Sequence, residues 1–125
     1  MQETNNFLKY NWPSILWAAF ILALCLMPGR DFPSVSIWEF DKLVHFAFYV
    51  MLSALMFWGW KKQTRFSALH LQTALKILAI TFTYGFAVEI LQELVTADRH
   101  FELLDAVANS AGGVAGSLIS VKLFR

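Results

Sequence analysis

From Tyr10 to Gly29 the chain carries no charged residue, and from Phe46 to Trp60 it carries none again. A soluble helical bundle does not tolerate such runs, because each of its surface helices needs a charged or polar outer face. A helix that crosses a bilayer needs about 20 mostly apolar residues and little else. Two later segments, rich in Leu, Ile, Val and Ala, come close to the same pattern. The expected fold is therefore all-α, a polytopic bundle of four transmembrane helices forming a single domain over residues 1–125. The spans are placed at about 12–28, 40–60, 74–95 and 103–124. Charged residues make up 15% of the chain, against about 25% in soluble domains, which agrees with a membrane protein.

Local signals refine these spans. Pro13 lies where the first helix is expected to start, a position that tolerates proline, and Pro28-Gly29 should end it. The first span reads as a permanent helix rather than a cleaved signal, since only Lys9 precedes it as a basic residue and no small-x-small site follows. Leu24 before Cys25 also fits poorly with a lipoprotein. Trp12, Trp38, Trp58 and Trp60 fall near span ends, where an aromatic belt would sit. One cysteine allows no internal disulfide. Net charge is +1 and the basic residues are scattered, so no nucleic-acid partner is expected.

Orientation follows from Lys and Arg, which concentrate on the cytoplasmic side. With four spans the two termini and the 61–76 connection share a side. Lys9, Lys61, Lys62, Arg65, Lys76, Lys122 and Arg125 fall there, leaving Arg30, Lys42 and Arg99 opposite. The expectation is a multi-pass protein of the bacterial inner membrane with cytoplasmic termini.

Against this apolar background the stretch from Glu89 to Asn109, EILQELVTADRHFELLDAVAN, is dense in polar groups. It forms the turn between the third and fourth spans. Glu89 and Gln92 are three apart, Asp105 and Asn109 four apart, and each pair shares a helix face. On the second span Asp41, His45 and Tyr49 are spaced by four, with Lys42 one turn from His45. Arg99 and His100 lie in the turn above. Ionisable side chains are costly in a bilayer and mark functional sites by default. The candidate ligand-binding set is Asp41, Lys42, His45, Tyr49, Glu89, Gln92, Arg99, Asp105 and Asn109. Lys42 or Arg99 should pair with Glu89, Asp41 or Asp105. His70, His100 and Glu93 read as solvated or interfacial residues, and Tyr84 and Gly85 as packing residues. On the fourth span Ala108, Gly112, Gly116 and Ser120 form a small-residue stripe that lets helices approach closely. It can serve packing within the chain or a homo-oligomer.

The run Asp41-Lys42-Leu43-Val44-His45-Phe46-Ala47-Phe48-Tyr49 resembles the D-K-x-x-H-x-x-x-Y motif of the VanZ-like family of small bacterial membrane proteins. Glu89-x-x-Gln92, Arg99, Asp105-x-x-x-Asn109 and Gly112 with Gly116 resemble its second motif, in the same order and spacing. Beside Arg99 the chain reads Ala97-Asp98-Arg99-His100, where the family often has Gly or Ser. The namesake of the family is associated with low-level teicoplanin resistance. The resemblance implies a cell-envelope role and defines no chemical reaction.

Two function classes follow. The first is an envelope-accessory binding protein whose outward pocket takes a lipid-linked or peptidoglycan-related anionic ligand, with Lys42, His45 and Arg99 supplying charge and donors. The second is an intramembrane enzyme acting on an outer-leaflet lipid phosphate, with His45 as the candidate catalytic residue, Asp41 or Glu89 setting its tautomer, and Arg99 and Lys42 stabilising charge. No H-E-x-x-H or G-x-S-x-G motif supports the enzyme. A metal would need His45 and two carboxylates from Asp41, Glu89 and Asp105, in competition with nearby cations, so neither a metal nor another cofactor is expected. A transporter would need a polar path through both leaflets. The expected partners are the lipid bilayer itself and the anionic ligand.

Overall fold

The computed structural model describes residues 2–26, 38–63, 71–95 and 103–123, with side chains over 7–26, 42–63, 71–95 and 103–123. These are four helices: α1 (Gln2–Leu26), α2 (Trp38–Gln63), α3 (Leu71–Val95) and α4 (Leu103–Leu123). The helices run past the expected spans at several ends. α2 continues through Lys61 and Lys62 to Gln63, and α3 begins before Lys76. Cations in the last turn of α2 complement the negative end of its dipole. Lys61, Lys62 and Lys76 are thus helical residues rather than parts of a long loop. Pro13 is a correction. It lies inside α1 rather than at its start, because the helix reaches back to Gln2. Its missing amide leaves the Lys9 carbonyl without the usual helical donor, a loss that membrane helices absorb through neighbouring groups.

Three helices are long and apolar enough to cross a membrane, over Phe7–Leu26, Lys42–Gln63 and Leu71–Val95. α4 lacks that combination of length and hydropathy among the described residues. Asp105, Asn109 and the glycines lower its apolar character. It instead makes the most extensive packing contact in the molecule, against α2. α3 packs on α4, α1 packs along α2 and touches α3 lightly, and among the described residues α1 and α4 do not meet. The section is a diamond with α2 and α3 across its short diagonal.

The small-residue stripe explains the α2–α4 contact. A Cβ on Gly112 would overlap the Phe46 carbonyl oxygen, and one on Gly116 would overlap Ser53 and the Val50 carbonyl. Bare glycines let the backbones touch, and in lipid that close contact is what holds helices together. Ser120 is buried and Ala108 partly so. The stripe is therefore occupied within the chain.

The distribution of side chains is the reverse of a soluble protein. Leu16, Phe86, Leu94 and Leu118 are exposed, while Asn11, Ser53, Thr81, Glu89, Gln92 and Asn109 are buried. An apolar core of Ile21, Cys25, Tyr49, Leu52 and Val88 lies between α1, α2 and α3. Polar ties cross between helices: Trp17 Nε1 donates to the Phe48 carbonyl at 3.0 Å, Asn11 Nδ2 to Gln63 Oε1 at 3.1 Å, and the Tyr84 hydroxyl to the Ala18 carbonyl.

Candidate functional site

His45 stands seven residues into α2, Glu89 six residues before the end of α3, and Asn109 six residues into α4. At 1.5 Å per residue each lies roughly 9–10 Å from its helix end. The three groups therefore share one depth at one end of the bundle, and the structure brings them into contact. His45 Nδ1 is 3.0 Å from Asn109 Oδ1 and 3.4 Å from Glu89 Oε1. Asn109 Nδ2 donates to Glu89 Oε1 at 3.3 Å. Lys42 pairs with Asp105 Oδ1, so the expected cation–carboxylate pairing is Lys42 with Asp105.

The network fixes its own tautomer. A carboxylate only accepts, so the Asn109 amide must turn its NH2 to Glu89 and its oxygen to His45. His45 Nδ1 then carries the hydrogen and donates it to Asn109 Oδ1. Glu89 has no exposed surface, and His45, Asp105 and Asn109 are buried. An isolated charge at such a place is strongly disfavoured, and pairing lowers the cost.

Tyr49 follows His45 by one turn and is 1% exposed. Its hydroxyl has no hydrogen-bond partner among the described residues. Gly85 makes room for it: a Cβ there would stand 3.2 Å from both the Tyr49 ring and the Asn109 Cβ. Gln92 departs from the expected shared pocket in one respect, since its Nε2 donates to the Cys25 carbonyl of α1 at 2.9 Å. This contact ties α1 to α3 beside the cluster. The side chains of Trp38 and Asp41 lie outside the described residues, as do Arg65, His70, Arg99, His100 and Glu102. Glu93 is exposed, one turn beyond Glu89 toward the end of α3.

His45, Glu89 and Asp105 offer one donor atom each within 4.8 Å of one another, a set able to hold a metal ion. The chemistry is borderline, one nitrogen and two carboxylate oxygens. The Lys42 ammonium already serves Asp105, so an ion would have to displace it or take the other carboxylate oxygen.

Spacing in the sequence identified the cluster members, while three polar residues outside the cluster gave no such signal. Asn11 and Gln63 bond each other across distant parts of the chain, and Thr81 donates to the Ile77 carbonyl at 2.7 Å within its own helix. The first relation has no local motif, and the second is the bond to the preceding turn that any helical threonine can make. Comparison with curated proteins returns no match, and comparison with solved structures returns none. The VanZ/LLP1 family model matches residues 1–125, the full length of the sequence, so this membrane protein belongs to the VanZ-like family.

Proposed function

We propose that the protein is a cell-envelope accessory protein of the bacterial inner membrane that binds a lipid-linked or peptidoglycan-related anionic ligand at the Lys42–His45–Glu89–Asp105–Asn109 cluster. The observation that carries this reading is Glu89. A fully buried carboxylate, bonded to Asn109 and close to His45, sits in an otherwise apolar bundle. Apolar residues would hold three helices together with no desolvation cost, so retained ionisable groups point to a role beyond packing. Lys42 and Arg99 supply the positive charge for the ligand. The Tyr49 hydroxyl supplies a donor. The excess of basic residues near the termini favours cytoplasmic termini and a cluster facing outward.

The test is ligand retention. Protein purified in gentle detergent is examined by native mass spectrometry and lipid extraction, beside His45→Ala and Arg99→Ala. A specific anionic or isoprenoid lipid should leave with wild type and be lost from both variants. If wild type retains none, or folded variants keep it, the reading fails.

One observation favours a second reading. His45 is held through Nδ1 by Asn109 and Glu89, an arrangement that suits a general acid or base acting through the other nitrogen. Under that reading the retained lipid phosphate would be turned over by wild type and not by His45→Gln.

A further inference from the structure

A cavity of about 500 Å³ lies away from the polar cluster, between α1, α2 and α3. Its lining runs from Phe7 to Ala18 on α1, from Leu52 to Gln63 on α2 and from Thr73 to Tyr84 on α3. Each stretch covers eleven residue steps, or roughly 16 Å of helix. That length is about half of a 30 Å hydrocarbon core. The groove therefore spans one leaflet, at the end of the bundle opposite the cluster.

Its chemistry changes along its length. The deep part is apolar, with Leu52, Met56 and Ile77 on its walls. The tyrosine at its inner end closes it, because the Tyr84 hydroxyl donates to the Ala18 carbonyl and so joins α3 to α1. The Tyr84 ring stands 6.3 Å from the Tyr49 ring, centre to centre, and that pair separates the groove from the cluster. The mouth is polar, with Asn11, Gln63, Thr73 and Lys76. No acidic residue lines the groove. Lys76 is exposed and has no ion-pair partner among the described residues. Ile80 is 55% exposed, so the wall is open sideways to the surrounding lipid. The light contact between α1 and α3 leaves that side open.

We propose that this groove is a second binding site, which takes one acyl chain of an anionic phospholipid from its own leaflet, with Lys76 against the phosphate. The occupant is set by three features together. The length matches one leaflet, the interior accepts only hydrocarbon, and an unpaired ammonium waits at headgroup level. A volume of this size lies within the range of about 300–1,000 Å³ usual for small-molecule sites. The sideways opening at Ile80 lets an acyl chain enter directly from the bilayer. The site is independent of the binding proposed for the polar cluster.

The test uses protein reconstituted in vesicles with a diazirine-acyl phosphatidylglycerol, and separately with the matching phosphatidylcholine. Ile80→Trp fills the groove from its exposed wall. Leu118→Trp, on the lipid-facing side of α4, is the control for added bulk. Labelling of wild type by the glycerol lipid should concentrate on Met56, Ile77 and Ile80, and fall at least fivefold in Ile80→Trp but not in Leu118→Trp. Lys76→Gln should remove the preference for the glycerol lipid over the choline lipid. His45→Ala should leave the labelling unchanged, which separates this site from the cluster. Labelling spread evenly over exposed positions, or unaffected by Ile80→Trp, would mean ordinary boundary lipid and overturn the proposal. Equal labelling by the two lipids in wild type would overturn the role of Lys76.

Discussion

Lys42 and Asp105 show how a single pair can be separated into structure and function. The two are largely buried and bonded to each other. Removing one partner strands the other, so Lys42→Met should destabilise the protein by about 3–5 kcal/mol. Replacing both, as Lys42→Met with Asp105→Leu, should recover most of that loss, because apolar residues need no compensation. Thermal unfolding in detergent reads both variants. Tyr49 gives the opposite case. Its hydroxyl is buried without a partner among the described residues, so Tyr49→Phe should leave stability unchanged or raise it by about 1 kcal/mol. The same variant should weaken ligand retention if the hydroxyl meets the ligand. These residues were legible in the sequence because ionisable groups at three- and four-residue spacing stand out against an apolar background. Their partners were not. Spacing places Lys42 near several acids, and only the packing of α2 on α4 selects Asp105.

Among the elements, α4 depends most on its neighbours. It is 21 residues long and carries Asp105 and Asn109 near its start. As an isolated segment in a glycosylation-reporter insertion assay it should insert less completely than α2, and Asp105→Leu should raise the inserted fraction. Insertion of the wild-type segment equal to that of α2 would contradict this. Once in place it is held by close backbone contact. Gly116→Val should cost about 1–3 kcal/mol or more, because Ser53 and the Val50 carbonyl leave no room for a side chain. Val114→Leu, on an exposed part of the same helix, should cost little. A chemical-denaturation series in mixed micelles compares them. The glycine stripe was visible in the sequence, since its four-residue period marks one face. Which helix would meet that face was not, as α2, α3 and a second copy all satisfied the pattern. The start of α1 was misplaced for a related reason. Proline is common at a helix start, and nothing local indicates that eleven further residues precede it in the same helix.

For the whole molecule, the exclusion of charge from two long runs dictated an all-helical membrane protein, and the helices bear this out. The interior is polar at one end and hollow at the other. Tyr49 and Tyr84 stand between the two regions. The groove had no sequence signature, because its walls come from three helices whose lining residues are ordinary apolar side chains. Under the proposed function, the polar cluster exists to bind and not merely to hold helices together. The most direct measurement is the lipid content of the Lys42→Met/Asp105→Leu double variant, compared with wild type at matched thermal stability. The double variant should be a folded protein of near-normal stability that has lost the specific anionic ligand. Retention of that ligand by the stable double variant would contradict that function and leave the Lys42–Asp105 pair as a structural tie.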